Sequence, residues 1–262
     1  AYIVATARDG SGASARCKVR VVRKVTKITL NKYTAKLLVG KTLKLKAKVH
    51  PKNATIKSVA WSSSDNSIAT VDSSGRVQGL AAGMVKIRAK AKDGSGKSAV
   101  CLITVSEPIP ATGVDVTNNE LIVAKGRQIQ SGITIAPANS TDKIRYYSDN
   151  KAVARINKRG KIYANKVGQA TVYGETSNGQ VGYADVLVVT MNRRSLPLRL
   201  YDTETLRVNE ISTGVTWHSQ NPLIASVDST GKVIGRQRGV TRIYATVRGL
   251  KLSCKVTVSD IQ

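Results

Sequence analysis

Phenylalanine is absent from the 262 residues, and aromatic side chains make up only 4% of them. A core with so few rings must be filled by Val, Ile, Leu and Ala, and the β-branched members of that set pack well on a pleated sheet. Histidine is nearly as scarce: His50 precedes a proline and His218 follows a tryptophan, in unrelated contexts. With no zinc-type ligand spacing, no metal centre of convergent nitrogen and sulfur donors is expected. Asp65, Asp72, Asp149 and Asp228 sit in turn-like sequences, where Asp hydrogen-bonds its own backbone; the alternative for them is weak calcium binding between modules. No Gly-x-Ser-x-Gly elbow and no phosphate-cradling glycine loop occur, so the chain is read as non-enzymatic, without catalytic residues or cofactor. No apolar run approaches the roughly 20 residues of a membrane-crossing helix, and the start at Ala1 is unlike a signal peptide. A soluble segment of a longer protein is expected.

Acidic side chains are also few, 16 against 42 Lys and Arg, for a formal net charge of +26. Half of that excess, +13, falls on residues 24–106; residues 107–190 carry only +3. Such a field attracts polyanions. Aromatic partners for stacked bases are missing beside the lysines, which argues against specific nucleic-acid recognition.

What the chain does have is a repeat. From Trp61, steps of 7, 14, 22 and 26 residues reach Ile68, Gly75, Gly83 and Ile87. From Tyr146 the same steps reach Val153, Gly160, Gly168 and Val172, and from Trp217 they reach Ile224, Gly231, Gly239 and Ile243. One spacing held in three registers marks a tandem array. Residues 5–21, ATARDGSGASARCKVRV, also match residues 89–105, AKAKDGSGKSAVCLITV, so the chain opens on the last two strands of an incomplete module. A lone hairpin is marginal in water, and residues 1–23 are expected to be poorly ordered unless docked.

The hydrophobic period within the repeat is two. In KTLKLKAKVHP, Leu43, Leu45, Ala47 and Val49 alternate with Lys44, Lys46 and Lys48; in MVKIRAKAKDG, Val85, Ile87 and Ala89 alternate with Lys86, Arg88 and Lys90. Alternation of this kind buries one face of a strand and wets the other. DSSG, NKRG and DSTG place Gly75, Gly160 and Gly231 fourth between two short strands, as in a hairpin whose glycine takes positive φ. Short strands at such spacing, without helical periodicity, predict an antiparallel β-sandwich. Cys17, Cys101 and Cys254 fall one per module on the last strand, so no disulfide within a module is expected, and Cys101 shares parity with Ile103 and Val105 on the core side.

The stretch from ITLNKY through AVCLITV, with its W-S-S-S-D-x-S-I-A-T-V-D-x-x-G-x-V run and following G-x-A-x-G, resembles the bacterial immunoglobulin-like domain, group 2. GVDVTNNELIVAKG through ADVLVV is similar, with Tyr146 at the Trp position. The third copy keeps WHSQNPLIASVDSTGKVIG but has only 17 residues from Leu200 to Trp217, so its first or second strand is degenerate and its sandwich is either open at one edge or completed from elsewhere. The expected fold is all-β, a tandem of immunoglobulin-like antiparallel β-sandwiches. Residues 1–23 are the C-terminal hairpin of a truncated module, 24–106 and 107–190 are full modules, and 191–262 a divergent, shortened one. The prolines of SEPIPATG suit a semi-rigid linker.

The resemblance implies a structural or adhesive stalk segment of a bacterial surface or secreted protein. The alternatives are an accessory wall- or glycan-binding region of a secreted hydrolase, or a phage tail decoration module. Its partners would be anionic cell-wall polymers, glycans or a host surface protein, besides neighbouring modules of the same chain. Two sets of residues are candidates for contact. Lys44, Lys46 and Lys48 on the second strand and Lys86, Arg88 and Lys90 on the sixth would meet a polyanion from the outer faces of opposite sheets. In the second copy, parity with Trp61, Ile87 and Cys101 turns Tyr147, Tyr173 and Tyr183 outward on neighbouring strands, with Arg145 at their edge, as a face for a glycan or protein partner.

Overall fold

The computed structural model describes residues 1–260, which contain strands, turns and no helix. They divide into two compact units, Ala1–Pro108 and Ile109–Gln262, with the division inside SEPIPATG.

In the first unit, β1 (Tyr2–Thr6) and β2 (Ser14–Lys18) pair as a hairpin in which every residue is exposed. The sandwich follows: β3 (Lys27–Leu30), β4 (Thr34–Leu38), β5 (Thr42–Lys44), β6 (Ala47–His50), β7 (Val59–Ser63), β8 (Ala69–Val71), β9 (Arg76–Gly79), β10 (Gly83–Ala91) and β11 (Ser98–Ser106). One sheet has the order β4-β11-β10-β7, with β5-β9-β8 and the pair β3-β6 making up the other side. Along β10 the burial alternates strictly from Val85 to Ala91, as the period-two pattern requires. Leu45, Val77, Ile87, Cys101 and Ile103 fill the core and are inaccessible to solvent.

The lysine-rich run expected to be a single strand is two. Between β5 and β6 the chain changes partner, from β9 to β3. The Leu45 amide donates to the Gly75 carbonyl at 2.9 Å, and the Lys46 amide to Asn31 Oδ1 at 2.7 Å. Local alternation continues unbroken through such a switch, so the hydrophobic pattern does not reveal it.

The second unit opens with β12 (Gly113–Val116), β13 (Glu120–Ala124), β14 (Gln128–Gln130), β15 (Ile133–Ala136), β16 (Ile144–Ser148), β17 (Ala154–Ile156), β18 (Lys161–Ala164), β19 (Gly168–Thr176) and β20 (Val181–Val189). The same arrangement recurs: β13-β20-β19-β16 against β14-β18-β17 and β12-β15. Tyr146, at the position of Trp61, is half-buried and donates its hydroxyl to the Ile133 carbonyl at 2.9 Å, so the polar tip of a ring inside the core is satisfied.

The third sandwich consists of β21 (Ser195–Arg199), β22 (Thr203–Thr205), β23 (Thr216–Ser219), β24 (Ala225–Val227), β25 (Lys232–Gly235), β26 (Gly239–Val247) and β27 (Leu250–Ser259). Its sheets are β21-β27-β26-β23 and β22-β25-β24, and the counterpart of the β3-β6 pair is reduced to a single bridge. The shortened pair begins just after β20 ends, and part of its cover comes from the second sandwich. Met191 bridges to Val208, the Asn192 amide donates to the Arg207 carbonyl and the Asn209 amide to the Thr190 carbonyl. Buried Val189 and Met191, with Ile122 and Leu187 beside them, join the cluster of Leu196, Leu206, Val208 and Ile243.

Each tryptophan rests on the glycine of its hairpin. Gly75 has φ +82°, and a methyl group there would come within 2.8 Å of the Trp61 ring. Gly231 repeats this against Trp217.

Cys101 and Cys254 are fully buried and Cys17 is exposed. Burial pushes the Cys254 thiol up to about 11 from 9.0, a rise weakly countered by the charges of Arg193 and Arg242. The unfolded thiol ionises first, so stability is intact below about pH 9 and declines as the pH rises toward 11, by about 2 to 3 kcal/mol from this group. Urea titrations at pH 8 and pH 11 should show that decline reduced by a corresponding amount in Cys254→Ala.

Candidate ligand-binding faces

The lysines of the first unit stay on separate surfaces. Lys44 and Lys48 lie on β5 and β6, and Lys46 between them, all exposed; Lys44 Nζ donates to Ser74 Oγ at 2.7 Å. Lys86, Arg88 and Lys90 form a row on β10, in the opposite sheet, flanked in register by Leu102, Val100 and Ser98 on β11. Arg88 and Lys90 face Ser62 and Ala60 on β7. No carboxylate interrupts that row among its in-register neighbours, so its charge is available to an anion but lies on a flat sheet.

The tyrosines of the second sandwich come together. Tyr147, Tyr173 and Tyr183 sit in register across β16, β19 and β20. The rings of Tyr147 and Tyr173 stack with centroids 4.9 Å apart and planes 12° apart, and Tyr183 tilts against Tyr173 at 6.2 Å. Each of the stacked pair covers part of the other, leaving them half-buried, while Tyr183 remains 54% exposed. The Arg145 guanidinium lies 5.2 Å from the Tyr147 ring centroid and pairs with Glu175 at 2.6 Å. That hydrogen-bonded carboxylate raises the arginine pKa further.

Glu175 is absent from the sequence reading, although its place two residues after Tyr173 on an alternating strand puts it on the same face. Arg145 and Glu175 also line a cleft of about 670 Å³ with Lys143, Tyr146 and Lys158. The row is therefore an aromatic platform with a charged pair at one edge and a concavity beyond it.

A second cleft on this sheet, of about 420 Å³, is lined by Glu120, Asp149, Thr171, Asp185 and Arg248. Its polar groups are engaged with one another: Thr171 Oγ1 donates to Asp185, the Thr171 amide to Asp149, and Arg248 pairs with Glu120 at 3.1 Å. The turn aspartates behave as local caps. Asp72 accepts from the Ser74 hydroxyl and from the Arg76 and Ser74 amides, which holds its carboxyl below the usual range, and Asp228 does the same with Thr230 and Lys232. Among the described residues no three His, Cys, Asp or Glu side chains converge as metal ligands.

The chain is 32% identical over 168 residues to an uncharacterized protein of Clostridium acetobutylicum, covering 64% of this chain and 17% of that protein. It is 30% identical over 171 residues to an Ig-like virion protein of Serratia phage KSP90, covering 64% of this chain and 66% of the phage protein. A stretch of 73 residues is 45% identical to part of a 3-O-alpha-D-galactosyl-alpha-L-arabinofuranosidase of Bifidobacterium longum, covering 28% of this chain and 6% of the enzyme. The chain thus spans only part of the length of each. Residues 24–101 and 110–184 each match the bacterial Ig-like domain (group 2), and the chain belongs to that family.

Proposed function

We propose that the chain is a non-catalytic stalk segment of an extracellular or surface-exposed bacterial protein, bearing load and offering a side face for adhesion. The observation that carries this reading is the parallel pairing of the first long strand of each sandwich with its last: β4 with β11, β13 with β20 and β21 with β27. In a parallel pair the chain comes in at one end of the ladder and leaves at the other. Tension along the chain therefore shears all the inter-strand hydrogen bonds together and does not peel them one at a time. Five residue pairs share the load in each sandwich.

Single-molecule extension tests this directly. The ladder alternation directs the Ala35 amide into β11, so Ala35→Pro removes one sheared bond and disturbs its neighbours. It should lower the unfolding force of the first sandwich measurably, while leaving the other two peaks unchanged. Equal forces in variant and wild type would remove the load-bearing reading.

The adhesive face is the tyrosine platform. Stacked rings with polar tips suit a sugar ring or a protein surface, and the Arg145–Glu175 pair supplies hydrogen bonds at its edge. Replacement of Tyr147, Tyr173 and Tyr183 by serine should abolish binding on a glycan array or in a pull-down with a surface-protein partner; binding that survives the triple change would sink the assignment. The lysine row of β10 and the lysines of β5 and β6 support diffuse attraction to anionic wall polymers or glycans, weakening as salt rises. A second reading, an accessory region of a secreted glycan hydrolase, is favoured by the likeness to the bifidobacterial arabinofuranosidase, and the sequence flanking this segment in its gene decides between them.

A further inference from the structure

Where the second sandwich meets the third, the turn between β13 and β14 lies beside the sheet of β21, β26 and β27. A cleft of about 520 Å³ opens there. Its charged lining is entirely basic: Lys125 and Arg127 from the turn, Arg194 from the segment before β21, Arg242 from β26 and Lys251 from β27. All five side chains are exposed. None takes part in any ion pair found among the described residues, and no carboxylate lines the cleft.

Their neutral contacts orient them and do not discharge them. Arg242 Nη1 reaches Ser253 Oγ at 3.4 Å, and the Lys251 ammonium lies 3.9 Å from the centre of the Tyr244 ring. The turn itself is tied down, since the Lys125 amide donates to the Val189 carbonyl at 2.8 Å and the Arg127 amide to the Ala124 carbonyl at 3.0 Å. Its backbone donors are therefore spent, and recognition falls to the side chains.

Like charges gathered around a concavity repel one another, and the low-dielectric walls concentrate their field on whatever enters. The lysines of the first unit are different, because they lie on two flat faces and focus nothing. We propose that this cleft is a binding site for a polyvalent tetrahedral oxyanion, a group carrying two or more phosphate or sulfate charges. Three guanidinium forks can each grip an oxyanion through paired hydrogen bonds, and two ammonium groups add point charges. A monovalent carboxylate would leave most of that charge unmatched. Since the lining comes from both sandwiches, a bound anion would also brace the joint.

The test uses residues 1–262 with two probes, inorganic pyrophosphate and a disulfated disaccharide, followed by calorimetry and amide chemical shifts. Saturable binding of either probe is expected, with shifts centred on residues 124–127, 190–194, 242 and 251–253. The probe that binds more tightly identifies the phosphate or the sulfate source. Arg127→Gln with Arg242→Gln should weaken binding about tenfold or more. Arg194→Gln with Lys251→Gln, a second pair on different strands, should weaken it similarly. Lys52→Gln with Lys57→Gln, two exposed lysines of the first unit, should leave it unchanged. The thermal midpoint of the second unit should rise with ligand concentration in the wild type and not in the arginine pair variant. Absence of saturable binding by both probes, shifts centred on the first unit, or equal affinity in wild type and both cleft variants would each overturn the proposal.

Discussion

Gly75→Ala is expected to destabilise the first unit by about 3 to 5 kcal/mol, whereas Gly94→Ala in the same unit should cost only about 1 to 2 kcal/mol. Both glycines are left-handed, at φ +82° and φ +74°, so both substitutions incur the backbone strain of a side chain at positive φ. Only one has neighbours. A methyl group at Gly75 would meet the Leu45 carbonyl oxygen at 2.7 Å and the Trp61 ring at 2.8 Å, while nothing lies within 4 Å of one at Gly94. The Leu45 carbonyl cannot withdraw easily, because the amide of the same residue is bonded to Gly75. Urea unfolding of the two variants, followed by Trp61 fluorescence in a Trp217→Tyr background, measures the difference. Equal costs would mean that the ring and hairpin do not touch as described.

Val189→Asp should lower the stability of the second unit by about 3 to 5 kcal/mol and split its unfolding into two transitions. Val189 is the last residue of β20, yet it is inaccessible to solvent because it is covered by the third sandwich. A carboxylate there would sit among apolar side chains and must be either protonated or hydrated, and hydration opens the joint. Differential scanning calorimetry distinguishes the outcomes: a single shifted transition of the whole unit argues against a separable joint, and no shift argues against burial of this residue.

Much of this was legible in the chain. Strand β10 could be read residue by residue, because one face of it is buried and alternation reports burial directly. The tyrosine row could be located by carrying the parity of Trp61, Ile87 and Cys101 into the next repeat. The partner switch between β5 and β6 could not, since both halves alternate alike and only the Asn31 and Gly75 hydrogen bonds reveal the break. The basic cleft was also out of reach: its five cations are spread from Lys125 to Lys251, and no local pattern brings a turn of one sandwich against a sheet of the next. Glu175 lay within reach of parity alone, but a carboxylate beside an arginine carries no signal unless its strand pairing is known.

The borrowed cover of the third sandwich bears on the order of events during synthesis. Chains emerge from the ribosome N-terminus first, and domains fold as they clear it. By the time Leu206, Val208 and Ile243 appear, Ile122, Leu187 and Val189 have already been made and can stand as a finished template. A copy of residues 195–262 placed at the front of a chain would emerge with that surface still unmade, and would wait with its core open to solvent and to other nascent chains. The shortened repeat is thus suited to following a complete one and unsuited to leading, a polarity written into the array by the shrinking of one pair of strands to a single bridge.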